Sequence, residues 1–215
     1  MNLVAVVVVG DARPDRLDVL TPLGDAPLVV HSVRAMLGVP GVDHVHVLAP
    51  AGYGVRVADA LAGMPVTVHG SSAGLWAHVD QRSGHTDGDG DDTDGACLLV
   101  HDAARPSIPS SLAESVTDAV CSGHPVVVPV LPLSDTVKEI GGDGFVRATP
   151  DRAGLRIVQT PQGFRGDLRP ALDDPVHAWS SVDTPAHTVP GDARAFPVRD
   201  AWDLELAASL IGADA

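Results

Sequence analysis

The residues of this chain with the most evident chemical potential are His101, Asp102 and Arg105, which follow the unbroken apolar run Cys97-Leu98-Leu99-Val100. Such a run reads as a fully buried central strand. Open parallel sheets bind their ligands off the strand ends, so an imidazole, a carboxylate and a guanidinium would stand beside whatever is bound there. The same residues also make sense without a ligand. Asp102 can cap a turn, Arg105 can pair with it on the surface, and Pro106 can stop the strand. At this level both readings are open.

A strand end of this kind needs a sheet to hold it. Residues 4–9 are a β-branched run ending at Gly10, and apolar spacing predicts a helix over 28–37. A strand at 42–48, a helix at 55–61, a strand at 66–69 and a weaker helix at 71–81 follow. Beyond the central stretch, Ser110 or Ser111 can cap a helix reaching about 121, and 125–130 reads as another strand. This alternation argues βαβ units, a mostly parallel sheet and helices on both faces, an α/β fold in one domain over 1–215. The segment 132–159 breaks the pattern. Gly141, Gly142 and Gly144 separate short β-like runs at 136–140 and 145–148, which predicts a projecting hairpin that a partner subunit covers. A short helix at 168–172, an irregular stretch at 173–193, a last strand at 195–198 and a helix at 201–211 complete the chain.

Charge narrows the function. The chain has 215 residues and a formal net charge of −14, with 28 acidic against 14 basic side chains. Non-specific binding to nucleic acid or to an anionic membrane is disfavoured, and an anionic ligand must be held by a few placed arginines. Lys138 is the only lysine. The apolar run at 3–9 is too short for a membrane span and has no basic residue before it, so it reads as a strand and not an export signal. With only Cys97 and Cys121, a cytoplasmic protein with reduced thiols is expected, Cys97 being a small core residue. Asp87, Asp89, Asp91, Asp92 and Asp94 crowd the loop at 82–95. A calcium loop starting at Asp87 would want glycine at position 92 and glutamate at position 98, where Asp92 and Leu98 stand, so the loop reads as solvated.

His101-Asp102-Ala103-Ala104-Arg105-Pro106 resembles the signature of the 2-C-methyl-D-erythritol 4-phosphate cytidylyltransferases. Pro132-Leu133-Ser134-Asp135-Thr136-Val137-Lys138, Asp151-Arg152-Ala153-Gly154-Leu155 and Thr160-Pro161-Gln162-Gly163-Phe164 are similar to further segments of that family, in its order. Pro22-Leu23-Gly24 and His31-Ser32-Val33 match its N-terminal layout. The resemblance implies a Rossmann-like nucleotidyltransferase fold and transfer of cytidylyl from CTP, with Mg²⁺, to methylerythritol phosphate in isoprenoid precursor synthesis. It implies Asp102 beside the metal and the acceptor, with Gly10 and Asp102 also by the nucleotide, and Arg105 and Thr136 on the acceptor's phosphate. Arg152 would join them from the other subunit, since the family's homodimers exchange the hairpin arm. Two guanidinium forks and a hydroxyl suit a phosphomonoester dianion. Read without the resemblance, Thr136, Lys138 and Arg152 are also ordinary exposed residues, and 160–162 a turn into a buried Phe164.

The chain departs from the family on the nucleotide side. After the first strand the family has a glycine-rich loop with an arginine and a lysine. Here residues 10–20 keep Gly10 alone, with Arg13 or Arg16 as a stand-in for the missing arginine and none for the lysines, since Lys138 belongs to the hairpin. Asp11, Asp15 and Asp18 add negative charge. A carboxylate about 5 Å from a phosphate oxygen costs on the order of 3 kcal/mol at an effective dielectric of about 20. Alignment of Val198 and Asp203 puts Pro197 where the family has a lysine, and the cytosine-binding segment at 70–76 lacks the family's arginine and serine. These losses count against CTP as a ligand. They leave two readings, a working cytidylyltransferase and a weak or inactive homologue that keeps a phosphate pocket and acts by binding or by heterodimerising with an active paralogue.

Overall fold

The computed structural model describes residues 3–10, 17–82 and 97–213. The acidic residues 87–94 and the stand-ins Arg13 and Arg16 lie outside them. Strand β1 (Leu3–Val8) is followed by a two-residue ladder, β2 (Pro22–Leu23) with β3 (Ala26–Pro27), and helix α1 (Leu28–Leu37). Then come β4 (Val45–Leu48), α2 (Gly54–Ala60), β5 (Val66–His69), α3 (Ser72–Arg82), β6 (Cys97–Asp102), α4 (Ser110–Cys121) and β7 (Val126–Pro132). An arm of β8 (Glu139–Ile140) and β9 (Val146–Ala148) precedes β10 (Arg156–Val158), β11 (Gln162–Arg165), β12 (His187–Pro190) and α5 (Ala201–Ala213).

The main sheet runs β10-β7-β11-β6-β1-β4-β5, and β12 adds to β7. Its β6-β1-β4-β5 half is parallel, while β11 lies antiparallel between β6 and β7. Alternate residues of β1 enter two cores, Ala5 and Val7 on the α1/α4 face and Val6 and Val8 on the α3 face. Both faces are covered, which is why the strands read as continuous apolar runs. Phe164 of β11 is fully buried, in register with Leu98 and Val126. A side chain of its kind contributes about 1.5–3 kcal/mol on burial. Behind it Gly163 lets α4 sit directly on the strand. A Cβ there would meet Val116 Cγ1 at 2.6 Å and Val120 Cγ2 at 2.8 Å.

Several expectations need correction. His101 and Asp102 are the last two residues of β6 and do not follow it. The expected strand at 42–48 begins only at Val45. Neither Ser110 nor Ser111 caps α4; Pro109 holds that position in an extended conformation with no side-chain hydrogen bond. No helix forms at 168–172, where Pro170 lacks an amide hydrogen and would clash with the carbonyl four residues earlier. Leu172 is buried there as a single anchor. The last strand is His187–Pro190, inside the stretch expected to be irregular, while 195–198 bonds to the turn after β6 through Val198 N–H and Ala104 O at 2.7 Å. Proline at 190 disguised the strand and is tolerated on a sheet edge.

On the α3 face, His44, His46, His69 and His78 pack ring against ring, with centroids 5.2–5.4 Å apart. Burial, then the neighbouring His78 and His44, hold His69 below its ordinary pKa.

Candidate active site

The parallel strands β1, β4 and β5 end side by side, and a cleft of about 260 Å³ lies off those ends. Val8 at the end of β1 and Gly10 beyond it line the cleft, with Leu48 at the end of β4, Pro50 beyond it, and Gly70 and Ser71 before α3. Nothing lies within 4 Å of where a Cβ on Gly10 would project. Leu172 and Asp173 contribute to the lining as well, and the apolar spacing at 168–172 gave no signal for this, having been read as a helix.

Asp18 was expected to burden this region with charge. Its carboxylate is instead engaged nearby. Oδ1 accepts from Leu20 N–H at 2.8 Å, and Oδ2 is 3.6 Å from Arg56 Nη2 on α2. Burial and this carboxylate together push the adjacent Tyr53 hydroxyl up to about 12.

One strand over from the cleft, Asp102 is the register partner of Val8, and Ala103 N–H donates to Val8 O at 3.0 Å. The turn after β6 is held from every side. Asp102 Oδ1 accepts from Ala104 N–H at 3.0 Å, so the turn-capping reading of Asp102 is correct. Ser32 of α1 donates to Ala103 O at 2.8 Å. Asp102 N–H donates to Thr160 Oγ1 at 3.1 Å, and Thr160 Oγ1 is 3.0 Å from His101 Nδ1. His101 Nε2 is 3.0 Å from Arg105 O, which can only accept. This fixes the tautomer by its partners: Nε2 carries the proton and Nδ1 accepts from the threonine hydroxyl. Full burial holds the His101 pKa down at about 3, so the ring is neutral.

Arg105 pairs with Asp102, Nε to Oδ2 at 3.6 Å, but the pair is buried and not on the surface. Arg105 Nη1 also donates to Ala195 O. Asp102 Oδ2 is buried and accepts no hydrogen bond. A carboxylate oxygen in that state suits a hard divalent cation, and Mg²⁺ commonly takes one or two carboxylates together with substrate phosphates. Among the described residues no group of three or more His, Cys, Asp or Glu side chains could hold a metal by itself.

Thr136 and Arg152 come together elsewhere, at the root of the arm. Arg152 Nη1 donates to Ser134 O and, at 3.2 Å, to Asp135 O, the carbonyls just before Thr136. Both side chains are exposed. Lys138 Nζ donates to Thr149 Oγ1 across the arm at 2.6 Å. The arm exposes Ile140, Phe145 and Val146, and the chain returning from it through β10 exposes Leu155 and Ile157. Thr160 and Gln159 were missed as site residues because a Thr-Pro pair reads as a turn and a lone glutamine carries no periodic signal.

A parallel half-sheet with a cleft off its strand ends, and a buried Asp-Arg turn beside that cleft, make a Rossmann-like α/β fold with its site at the strand ends. The IspD family model, 2-C-methyl-D-erythritol 4-phosphate cytidylyltransferase, matches residues 13–212, and the chain belongs to that family. A relative of that name from Frankia casuarinae is 38% identical over 221 residues, covering 97% of this chain and 81% of the relative. One from Nocardia farcinica is 37% identical over 198 residues, covering 88% and 84%. A solved 2-C-methyl-D-erythritol 4-phosphate cytidylyltransferase from Thermus thermophilus superposes with a TM-score of 0.65 at 25% identity, over 96% of this chain and 98% of that one. A 4-diphosphocytidyl-2C-methyl-D-erythritol synthase shares the fold with a TM-score of 0.74 at 22% identity, over 97% of each chain. These matches lend no support to the expectation that the nucleotide half is dismantled. No helix among the described residues is long and apolar enough to cross a membrane.

Proposed function

We propose that this protein transfers cytidylyl from CTP to 2-C-methyl-D-erythritol 4-phosphate, releasing pyrophosphate. The observation that carries the reading is the seating of Asp102 and Arg105 beside the cleft, in a chain that matches this family over nearly its whole length. CTP occupies the cleft between Gly10 and Ser71. Asp102 would hold Mg²⁺, whose charge would offset that of the α-phosphoryl group and the departing pyrophosphate. Arg105 orients the acceptor phosphate, with Thr136 and Arg152, which lie together at the arm, both supplied by a second copy in a homodimer. One acceptor phosphate oxygen attacks the α-phosphorus of CTP, that bond forms, and the bond to the pyrophosphate oxygen breaks. Positioning and fixed positive charge are what the chain contributes, because the reaction needs no covalent intermediate. Arg13 and Arg16 are assigned to the triphosphate, since the family's lysines are missing and Lys138 is spent on the arm.

The test is pyrophosphate release from CTP, methylerythritol phosphate and Mg²⁺. Turnover that falls about 10² to 10³-fold in Asp102→Asn supports the assignment. Asparagine keeps the Oδ1 bond to Ala104 N–H, so the variant should fold. Acceptor binding with no turnover in the wild type would replace the enzyme by the non-catalytic homologue.

A further inference from the structure

The arm leads into β10, which ends at Val158, and the next residue, Gln159, is buried. Its Nε2 donates to Asp192 O at 2.7 Å and to Ala195 O at 3.4 Å, and its Oε1 accepts from Asp192 N–H at 2.9 Å. Its own backbone N–H donates to Pro129 O at 2.9 Å, which roots it in β7. Ala195 O is also the carbonyl to which Arg105 Nη1 donates. Gly191 makes the clamp possible, because a Cβ there would come within 2.2 Å of Gln159 Oε1 and 3.0 Å of Val130 O. One backbone carbonyl therefore receives two side chains, a glutamine at the root of the arm and the arginine of the turn after β6.

We propose that Gln159 is a positioning residue that sets the Arg105 guanidinium through the shared Ala195 carbonyl and so couples the seating of the arm to acceptor-phosphate binding. The proposal rests on the reading of Arg105 as an acceptor-phosphate ligand. The physical reason is economy of motion. Segment 191–195 is a turn closed by Ala195 N–H to Asp192 O at 3.0 Å and joined to β7 by Gly191 N–H to Val130 O at 2.8 Å, and the amide of Gln159, bonded to both ends of that turn, ties Ala195 O to β7 as well. A displaced carbonyl would take the guanidinium with it, since a buried arginine does not leave an acceptor without replacement.

Gln159→Met keeps the shape of the side chain and removes both hydrogen-bonding groups, whereas Gln159→Glu keeps the acceptor for Asp192 N–H and loses the donor. Gln162→Met is the matched control. Gln162 is an equally buried glutamine that clamps a different segment, through Val176 O at 2.7 Å and Trp179 N–H at 2.9 Å. In the unliganded full-length protein, the Arg105 Nε–Hε resonance is expected to shift in Gln159→Met and Gln159→Glu and to stay in place in Gln162→Met. In steady state, Gln159→Met is expected to raise the KM for methylerythritol phosphate about tenfold and leave the KM for CTP within about twofold. Combination with Arg105→Lys should add little further. An unmoved Arg105 resonance, equal rises in both KM values, or the same shift in Gln162→Met would overturn the proposal. Absence of turnover in the wild type would count against the enzyme reading alone, and the resonance would still decide the coupling.

Discussion

Thr160 Oγ1 lies 3.0 Å from His101 Nδ1, joining residues 59 positions apart into the relay that holds the turn after β6. The ring it holds is neutral, with its pKa down at about 3 against an ordinary 6.5. Below about pH 6.5 the unfolded chain therefore binds a proton that the folded chain refuses. The stability this ring contributes is full above that pH and is lost as pH falls toward 3, at a slope of about 1.4 kcal/mol per pH unit. His69, also lowered, adds loss in the same direction. Urea unfolding between pH 7 and pH 4 should show the midpoint falling steadily. His101→Gln should lower the starting stability and flatten the slope, and an unchanged slope would refute the assignment.

Asp18 is tied to Leu20 N–H and to Arg56. Asp18→Asn should therefore leave the KM for CTP within about twofold, because an engaged and solvated carboxylate is screened from a bound triphosphate. A tenfold improvement would show that its charge reaches the nucleotide after all. Steady-state kinetics at two salt concentrations separates the cases.

Gly163 lies against Val116 and Val120, two β-branched side chains that cannot easily swing aside. Gly163→Ala should cost about 1–3 kcal/mol by overpacking. Thermal melting would register this as a fall of roughly 2–4 °C per kcal/mol for a chain of this size.

The arm exposes Phe145 and Val146, and the adjoining β10 exposes Ile157. If a second copy covers them, Phe145→Ser combined with Ile157→Ser should convert a dimer into a monomer by light scattering and raise the KM for the acceptor. Arg152→Ala should raise that KM with the mass unchanged. A wild-type monomer at micromolar concentration would end the arm-exchange reading.

Much of this fold was legible because burial on both faces writes continuous apolar runs. The helix at 28–37 and the strand at 66–69 have the bounds their spacing predicts. The helix at 201–211 also forms, two residues longer, but the chain from 166 to 200 was not legible in the same way. There Pro170, Pro190 and Pro197 interrupt the patterns, and position is set by single anchors such as Leu172 and by bonds to distant turns. In the site, Asp102 and Arg105 could be found as a strand-end pair. Their burial could not, because it depends on Ala195 arriving from 90 residues away. The role of Thr160 was hidden for the same reason.

The antiparallel β11 between β6 and β7 carries a consequence for synthesis. A nascent chain that has cleared about 130 residues already owns both flanking strands, yet they share no ladder until residues 162–165 follow. The left half of the molecule can condense early on local crossovers, whereas the right half must wait for its keystone and pay the entropy of a long closure. Stalled translation short of that point would strand two open edges, and chaperone dependence should concentrate there.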